Sequence, residues 1–220
     1  MSNNIEEILR NAYGTQNENA KHSNFPSFNR SYIMSVVFTT ISDKFIAMCA
    51  DKGRSMPIIE KWAAHIAVGM SGDLSFGEYV RSTVHRFVAE SGISSFSLED
   101  IANLFAQQCT SAETAPDKTT KFIIAGIFPD KKPGAVVIRA DGGNVDTETF
   151  RGGDVPATLI LEPADLSVDR CNMLFGKALK NVQGKFLKNP LESIHRRAVR
   201  NVSEQSRCTE KEADYLLITP

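Results

Sequence analysis

The apolar positions of this chain fall into short β-type runs separated by longer stretches of helical periodicity. Ser35 to Ile41 is β-branched and aromatic, Ser42-Asp43-Lys44 carries turn residues, and Phe45 to Ala50 is a second apolar run, which predicts a strand pair. Pro57 to Trp62 and His65 to Met70 predict another pair. Ser71-Gly72-Asp73 then opens a helix over 73–90, because Phe76, Val80, Val84, Phe87 and Val88 recur at spacings of three and four. Ser97 is placed to cap a second helix, over 97–110, that buries Ile101, Leu104, Phe105 and Cys109. Strands return at Phe122 to Phe128, Ala135 to Arg139, Thr147 to Phe150 and Ala157 to Leu161, with Asp141-Gly142-Gly143-Asn144 as a turn. A helix over 167–183 presents Val168, Cys171, Phe175, Ala178 and Val182 on one face. Another, over 190–206, starts at Asn189-Pro190-Leu191-Glu192, with Asn as cap, Pro in the first position and Glu three residues after the cap. Asp214 to Thr219 closes the chain as a strand. Strands, two helices, strands, two helices and a strand describe two sheets covered by helices, an α+β layered sandwich.

The first 31 residues stand apart from this pattern. Residues 3–13 predict a short helix with Ile5, Ile8 and Leu9 on one face, and residues 15–31 have the Asn, Ser, Lys and Pro content of a linker. The organisation expected is therefore an N-terminal extension, 1–31, followed by one domain, 32–220. A chain of this length buries a core without disulfides. The formal net charge of -1 gives no general attraction to nucleic acid or to an anionic membrane. No apolar run is long enough to span a bilayer, and the start of the chain lacks the basic and apolar regions of a signal peptide, so a cytoplasmic location is expected. Cys49, Cys109, Cys171 and Cys208 form no CxxC pair, and His22, His65, His85 and His195 show no metal-ligand spacing. No metal or other cofactor is implied. Cys109 and Cys171 read as core residues, and His85 and His195 as surface or boundary residues. Residues 177–207 are basic, which describes either a solvated helix face or a docking surface for an acidic partner.

Particular segments carry a family resemblance. Ser35-Val36-Val37-Phe38-Thr39-Thr40-Ile41, followed by Phe45-Ile46-Ala47-Met48-Cys49-Ala50-Asp51, resembles the first hairpin of proteasome β-type subunits and their bacterial homologues. In that family a Thr or Ser nucleophile opens the strand and an Asp lies sixteen residues later, a separation that Ser35 and Asp51 keep. Ile66-Ala67-Val68-Gly69-Met70-Ser71-Gly72-Asp73 is similar to the family strand that leads through Ala-Gly into the first helix. Phe122 to Phe128, Phe150 to Glu162 and Asp214 to Thr219 are similar to its later strands. The resemblance covers residues 32–219 and implies the four-layer αββα sandwich of the N-terminal-nucleophile (Ntn) hydrolases.

It also implies a chemistry. The hydroxyl of a free N-terminal residue attacks a peptide carbonyl, and the residue's own α-amine, with a reference pKa near 8, takes the proton. On this sequence the nucleophile maps to Ser35, the tuning carboxylate to Asp51 and the oxyanion glycine to Gly72, which also fits the plain need of a tight strand-to-helix turn. The family's lysine maps to Ile58. Lys61 is three residues away, an odd shift that points it to the opposite face of a strand. The family's supporting Ser-Gly maps to Gly152-Gly153, and its late Asp to the neighbourhood of Glu204 to Ser206. Two expectations follow. One is a peptidase or amidase acting on peptide or protein through Ser35, in a form that begins at that residue. The other is a catalytically inactive assembly subunit, favoured by Ile58, by Gly152 and by the 34 residues ahead of Ser35. Both imply a ring-type homo-oligomer and leave an unfolding ATPase open as a partner. Because Met34 precedes Ser35, translation starting at Met34 with removal of that Met is one route to a free Ser35 amine.

Overall fold

The computed structural model describes residues 35–53, 56–112, 119–182, 189–207 and 209–220. The helix and linker expected before Tyr32 lie outside the described residues. Tyr32–Pro220 forms one compact unit.

Among the described residues, nine strands form two antiparallel sheets. The first has the order β8-β1-β2-β9, built from β1 (Val37–Ile41), β2 (Ile46–Asp51), β8 (Ala157–Leu161) and β9 (Ala213–Ile218). The second has the order β3-β4-β5-β6-β7, built from β3 (Ile59–Ala63), β4 (Ile66–Ser71), β5 (Thr120–Ile127), β6 (Pro133–Asp141) and β7 (Asn144–Arg151). Every neighbouring pair is antiparallel. The helices are α1 (Leu74–Ser91), α2 (Leu98–Ser111), α3 (Val168–Val182) and α4 (Pro190–Ser203), with a short 3-10 turn at Ile93–Ser95.

Side chains alternate along each strand, so each sheet has two faces to cover. Val37, Ile41, Met48 and Ala50 of the first sheet pack with Ile58, Ile59, Ala67, Ile123, Ala125 and Val137 of the second, which brings the two sheets face to face. The alternate residues Val36, Phe38 and Cys49 pack instead with Cys171, Leu174 and Ala178 of α3 and with Ala198, Val199 and Val202 of α4. On the second sheet, Phe122 points away from the sheet gap and meets Phe105 of α2, ring centroids 5.1 Å apart. Coverage on both faces explains why β1, β2 and β4 lack the apolar–polar alternation of a half-exposed strand: every residue in them is buried. By contrast β7, at a sheet edge, is largely exposed and charged, a composition that discourages edge-to-edge pairing.

The local signals set the helix ends. Ser97 and Asp100 form a reciprocal capping box at α2, and the Asn189 side chain accepts the Glu192 N–H ahead of Pro190 at α4. One expectation is corrected. His195 is fully buried, because it lies on the inner face of α4, where its Nε2 reaches the Thr40 hydroxyl at 2.9 Å between the rings of Phe175 and Tyr215.

Candidate functional site at the head of the first strand

Ser35 lies two residues ahead of the first residue of β1 and is 0 % exposed. The β1–β2 register pairs Val37 with Ala50, so one step further Val36 lies opposite Asp51. The Val36 N–H donates to Asp51 Oδ1 at 2.8 Å, and the Glu210 N–H, in the segment between α4 and β9, donates to Oδ2 at 3.2 Å. Asp51 is itself 0 % exposed. Burial pushes its carboxyl up to about 7, against the opposing pull of those backbone N–H groups and, least of all, of the Ser35 hydroxyl. The Ser35 hydroxyl lies near the carboxylate but without hydrogen-bond geometry, and it has no other hydrogen-bond partner.

A second group reaches Ser35 from the other sheet. The Ser71 hydroxyl, at the end of β4, lies 2.5 Å from the Ser35 carbonyl oxygen and 3.0 Å from the Glu162 carbonyl oxygen. Its single proton is shared between these two acceptors. Glu162 follows β8, and its carboxylate pairs with Lys121 of β5, which stands opposite Ser71 in the β4–β5 register. Ser71, Lys121 and Glu162 belong to the site, yet nothing in the sequence pattern singles them out. Lys121 and Glu162 are 41 positions apart and meet only when the two sheets stack.

Gly72 follows Ser71 with φ +101, and a Cβ there would lie 2.1 Å from the Thr119 carbonyl oxygen. The turn from β4 into α1 therefore requires glycine on steric grounds. Asp73 then caps α1 by accepting the N–H groups of Ser75 and Phe76. Ser35, Asp51 and Gly72, far apart in sequence, thus gather around one end of the sheet gap.

The remaining mapped positions fall elsewhere. Ile58 is fully buried in the core between the sheets, while Lys61 is exposed on the edge strand β3. Among the described residues no cation pairs with Asp51. The buried guanidinium of Arg81 is engaged by the Pro57 carbonyl, at 2.6 Å, and by Glu78. Gly152-Gly153 packs on the β1–β2 turn: the Gly153 carbonyl accepts the Asp43 N–H at 3.0 Å, and a Cβ on Gly152 would lie 2.1 Å from the Ser42 carbonyl oxygen. That is the opposite end of β1 from Ser35, so a hydroxyl at Gly152 would not support the nucleophile. In the 204–206 segment, the Ser206 hydroxyl donates to Asp165 at 2.7 Å; Glu210 is the residue of this region whose N–H reaches Asp51. Cys49, Cys109 and Cys171 are buried, and desolvation pushes their thiols up to about 12, 12 and 11, away from the thiolate a nucleophile needs.

Two face-to-face antiparallel sheets, with helices packed on their outer faces, form a proteasome-like fold. Among solved structures the chain is similar to eukaryotic HslV from Trypanosoma brucei, with a TM-score of 0.50 and 10 % sequence identity, over 84 % of this chain and 99 % of that chain. At that identity the likeness is one of fold. No protein-family model and no curated protein matches the sequence. Among the described residues, no helix is long and apolar enough to cross a membrane and no cluster of His, Cys, Asp and Glu could hold a metal ion.

Proposed function

We propose that this protein is a peptidase or amidase of the proteasome-like Ntn-hydrolase type, a four-layer αββα sandwich over residues 32–220, with Ser35 as its N-terminal nucleophile. The observation that carries the reading is the pairing of a fully buried, unpartnered Ser35 hydroxyl with a buried carboxyl, Asp51, at the head of β1. An unsatisfied buried hydroxyl and a buried acid that no cation faces among the described residues both cost stability, and such costs concentrate where chemistry is done. The reaction asks for a base. While residue 34 is attached, the Ser35 nitrogen is an amide and takes no proton near neutral pH; as a free amine it takes the hydroxyl proton while the oxygen attacks the carbonyl carbon. Gly72, at the turn into α1, is the proposed source of the N–H that meets the developing oxyanion. The protein works as a closed ring of identical chains on peptide or protein substrates, with an ATPase as a candidate partner.

A second reading has its own support. Ile58 fills with hydrocarbon the position where the resembled family places a lysine, no cation pairs with Asp51 among the described residues, and the chain then fits a non-catalytic assembly subunit. One comparison separates the two. The full chain, a chain beginning at Met34 and the same short chain with Ser35→Ala are assayed on a panel of peptides, with intact mass recording whether Met34 is removed. Activity confined to the short chain with Ser35 at its front is the expected result. Equal activity in all three, or none in any, removes Ser35 as nucleophile and leaves the assembly subunit.

A further inference from the structure

We propose that Ser71 is the residue that positions the nucleophile, by clamping with Asp51 the single peptide group joining Ser35 to Val36. The inference rests on the reading of Ser35 as nucleophile and deepens it. The carbonyl of Ser35 and the N–H of Val36 belong to one rigid, planar unit whose C=O and N–H point in opposite directions. Asp51 Oδ1 holds the N–H at 2.8 Å, and the Ser71 hydroxyl holds the oxygen at 2.5 Å. One anchor comes from the first sheet and the other from the second. In a chain that begins at Ser35 no preceding residue fixes the orientation of the terminal residue. Pinning this one plane fixes the place of the Ser35 Cα and the axis of its Cα–C bond, so the α-amine and the Cβ that bears the hydroxyl keep only the rotation ψ about that axis.

Strand alternation explains how Ser71 comes to do this. Ala67 of β4 and Ile123 and Ala125 of β5 face the first sheet, so Ser71 and Lys121, at the same parity on those strands, face it too. There Ser71 also approaches the Glu162 carbonyl, and the Lys121–Glu162 ion pair, only 15 % and 24 % exposed, ties that residue back to β5. The hydroxyl therefore sits on a braced spot where the ends of β1 and β8 meet β4. Asp51 acts in the clamp as a hydrogen-bond acceptor, a task that needs no paired cation.

The test uses the chain beginning at Ser35, which retains both sheets, all four helices and both core clusters. Peptide turnover and Tm are measured for that chain, for Ser71→Ala and for Ser71→Thr. Ser71→Ala lowers kcat by about tenfold or more and leaves KM within about twofold, because alignment rather than binding is lost. Ser71→Thr keeps the hydroxyl and restores kcat to within about threefold of the parent. Parent-level kcat in Ser71→Ala overturns the clamp. So does a loss of activity that only tracks the loss of folded protein in the Tm measurement. If the parent chain is no more active than its Ser35→Ala variant, the nucleophile reading itself falls and takes the clamp with it; an active parent that tolerates Ser71→Ala removes the clamp alone.

Discussion

Asp51 and His195 are both buried in the first sheet's surroundings, and burial moves them in opposite directions. The Asp51 carboxyl rises from 3.8 to about 7, whereas the His195 imidazole falls from 6.5 to about 4, each through desolvation of its charged form. Their effects on stability oppose each other. Between about pH 4 and 7 the folded protein holds a proton on Asp51 that the unfolded chain has released, so this group's contribution is lost as pH rises. Between about pH 4 and 6.5 the unfolded chain protonates His195 and the folded protein does not, so that contribution is lost as pH falls. Each slope approaches ~1.4 kcal/mol per pH unit. Relative to the parent, Asp51→Asn therefore becomes progressively more stable from pH 4.5 to pH 7. His195→Gln shows the reverse trend, gaining relative stability as pH falls from 6.5 to 4.5. Denaturant unfolding of the full chain at several pH values measures both differences. A flat Asp51→Asn difference would mean that the acid is already ionised in the folded protein near pH 5. Neither environment is visible along the chain. His195 occupies a helix position beside apolar neighbours, and only the packing of α4 on β1 turns it inward to Thr40.

At the scale of elements, local chemistry predicts starts and stops well, because caps and turns act over a few residues. The Ser97–Asp100 capping box, the Asn189 cap and the glycine turn at 142–143 all stand where the residues place them. The turn from β4 to α1 yields a prediction about Gly72. With φ +101 and the Thr119 carbonyl oxygen 2.1 Å from an added Cβ, Gly72→Ala requires the start of β5 to move. The expected cost is about 2 kcal/mol or more, seen as a lower Tm in the full chain whether or not Ser35 is free. An unchanged Tm would show that the turn can relax, and would leave catalysis as the reason for glycine there. The offset between Ile58 and Lys61 also belongs to this scale. The residue before β3 is buried between the sheets, and Lys61 emerges at the edge just ahead of the register shift between Lys61 and Ala63. The irregularity follows Lys61, so it does not turn that side chain inward.

For the whole molecule the expectation concerns assembly. Val168, Met173 and Leu179 of α3 are exposed, apolar surface on the helix pair that covers the first sheet. Closed symmetry is the usual way for identical chains to bury such surface. Light scattering of the full chain at micromolar concentration is expected to report a closed homo-oligomer of one size. Adding a charge with Met173→Glu and Leu179→Glu lowers that mass while the Tm of the protomer holds. A strict monomer in the parent would remove the ring from the functional reading.

The order of strands and helices, the caps and the nearness of Ser35 to Asp51 were legible in the sequence, because each depends on short-range periodicity or on the register of one tight hairpin. The family resemblance singled out Ser35 and Asp51 by their separation, and the register of the β1–β2 hairpin, which sets Asp51 across from Val36, explains why that separation brings the acid next to Ser35. What stacking two sheets brings together carries no such signature. Ser71, Lys121 and Glu162 come from three separate strands or strand ends, and only the closure of one sheet on the other sets a hydroxyl of β4 on the carbonyl of Ser35. Strand pairing within the first sheet places Gly152-Gly153 at the far end of β1, since antiparallel pairing of β8 with β1 sends the residues before β8 toward the Ser42 turn. Among the described residues the closure set no cation on Asp51, a property of the space around a residue that no linear spacing specifies.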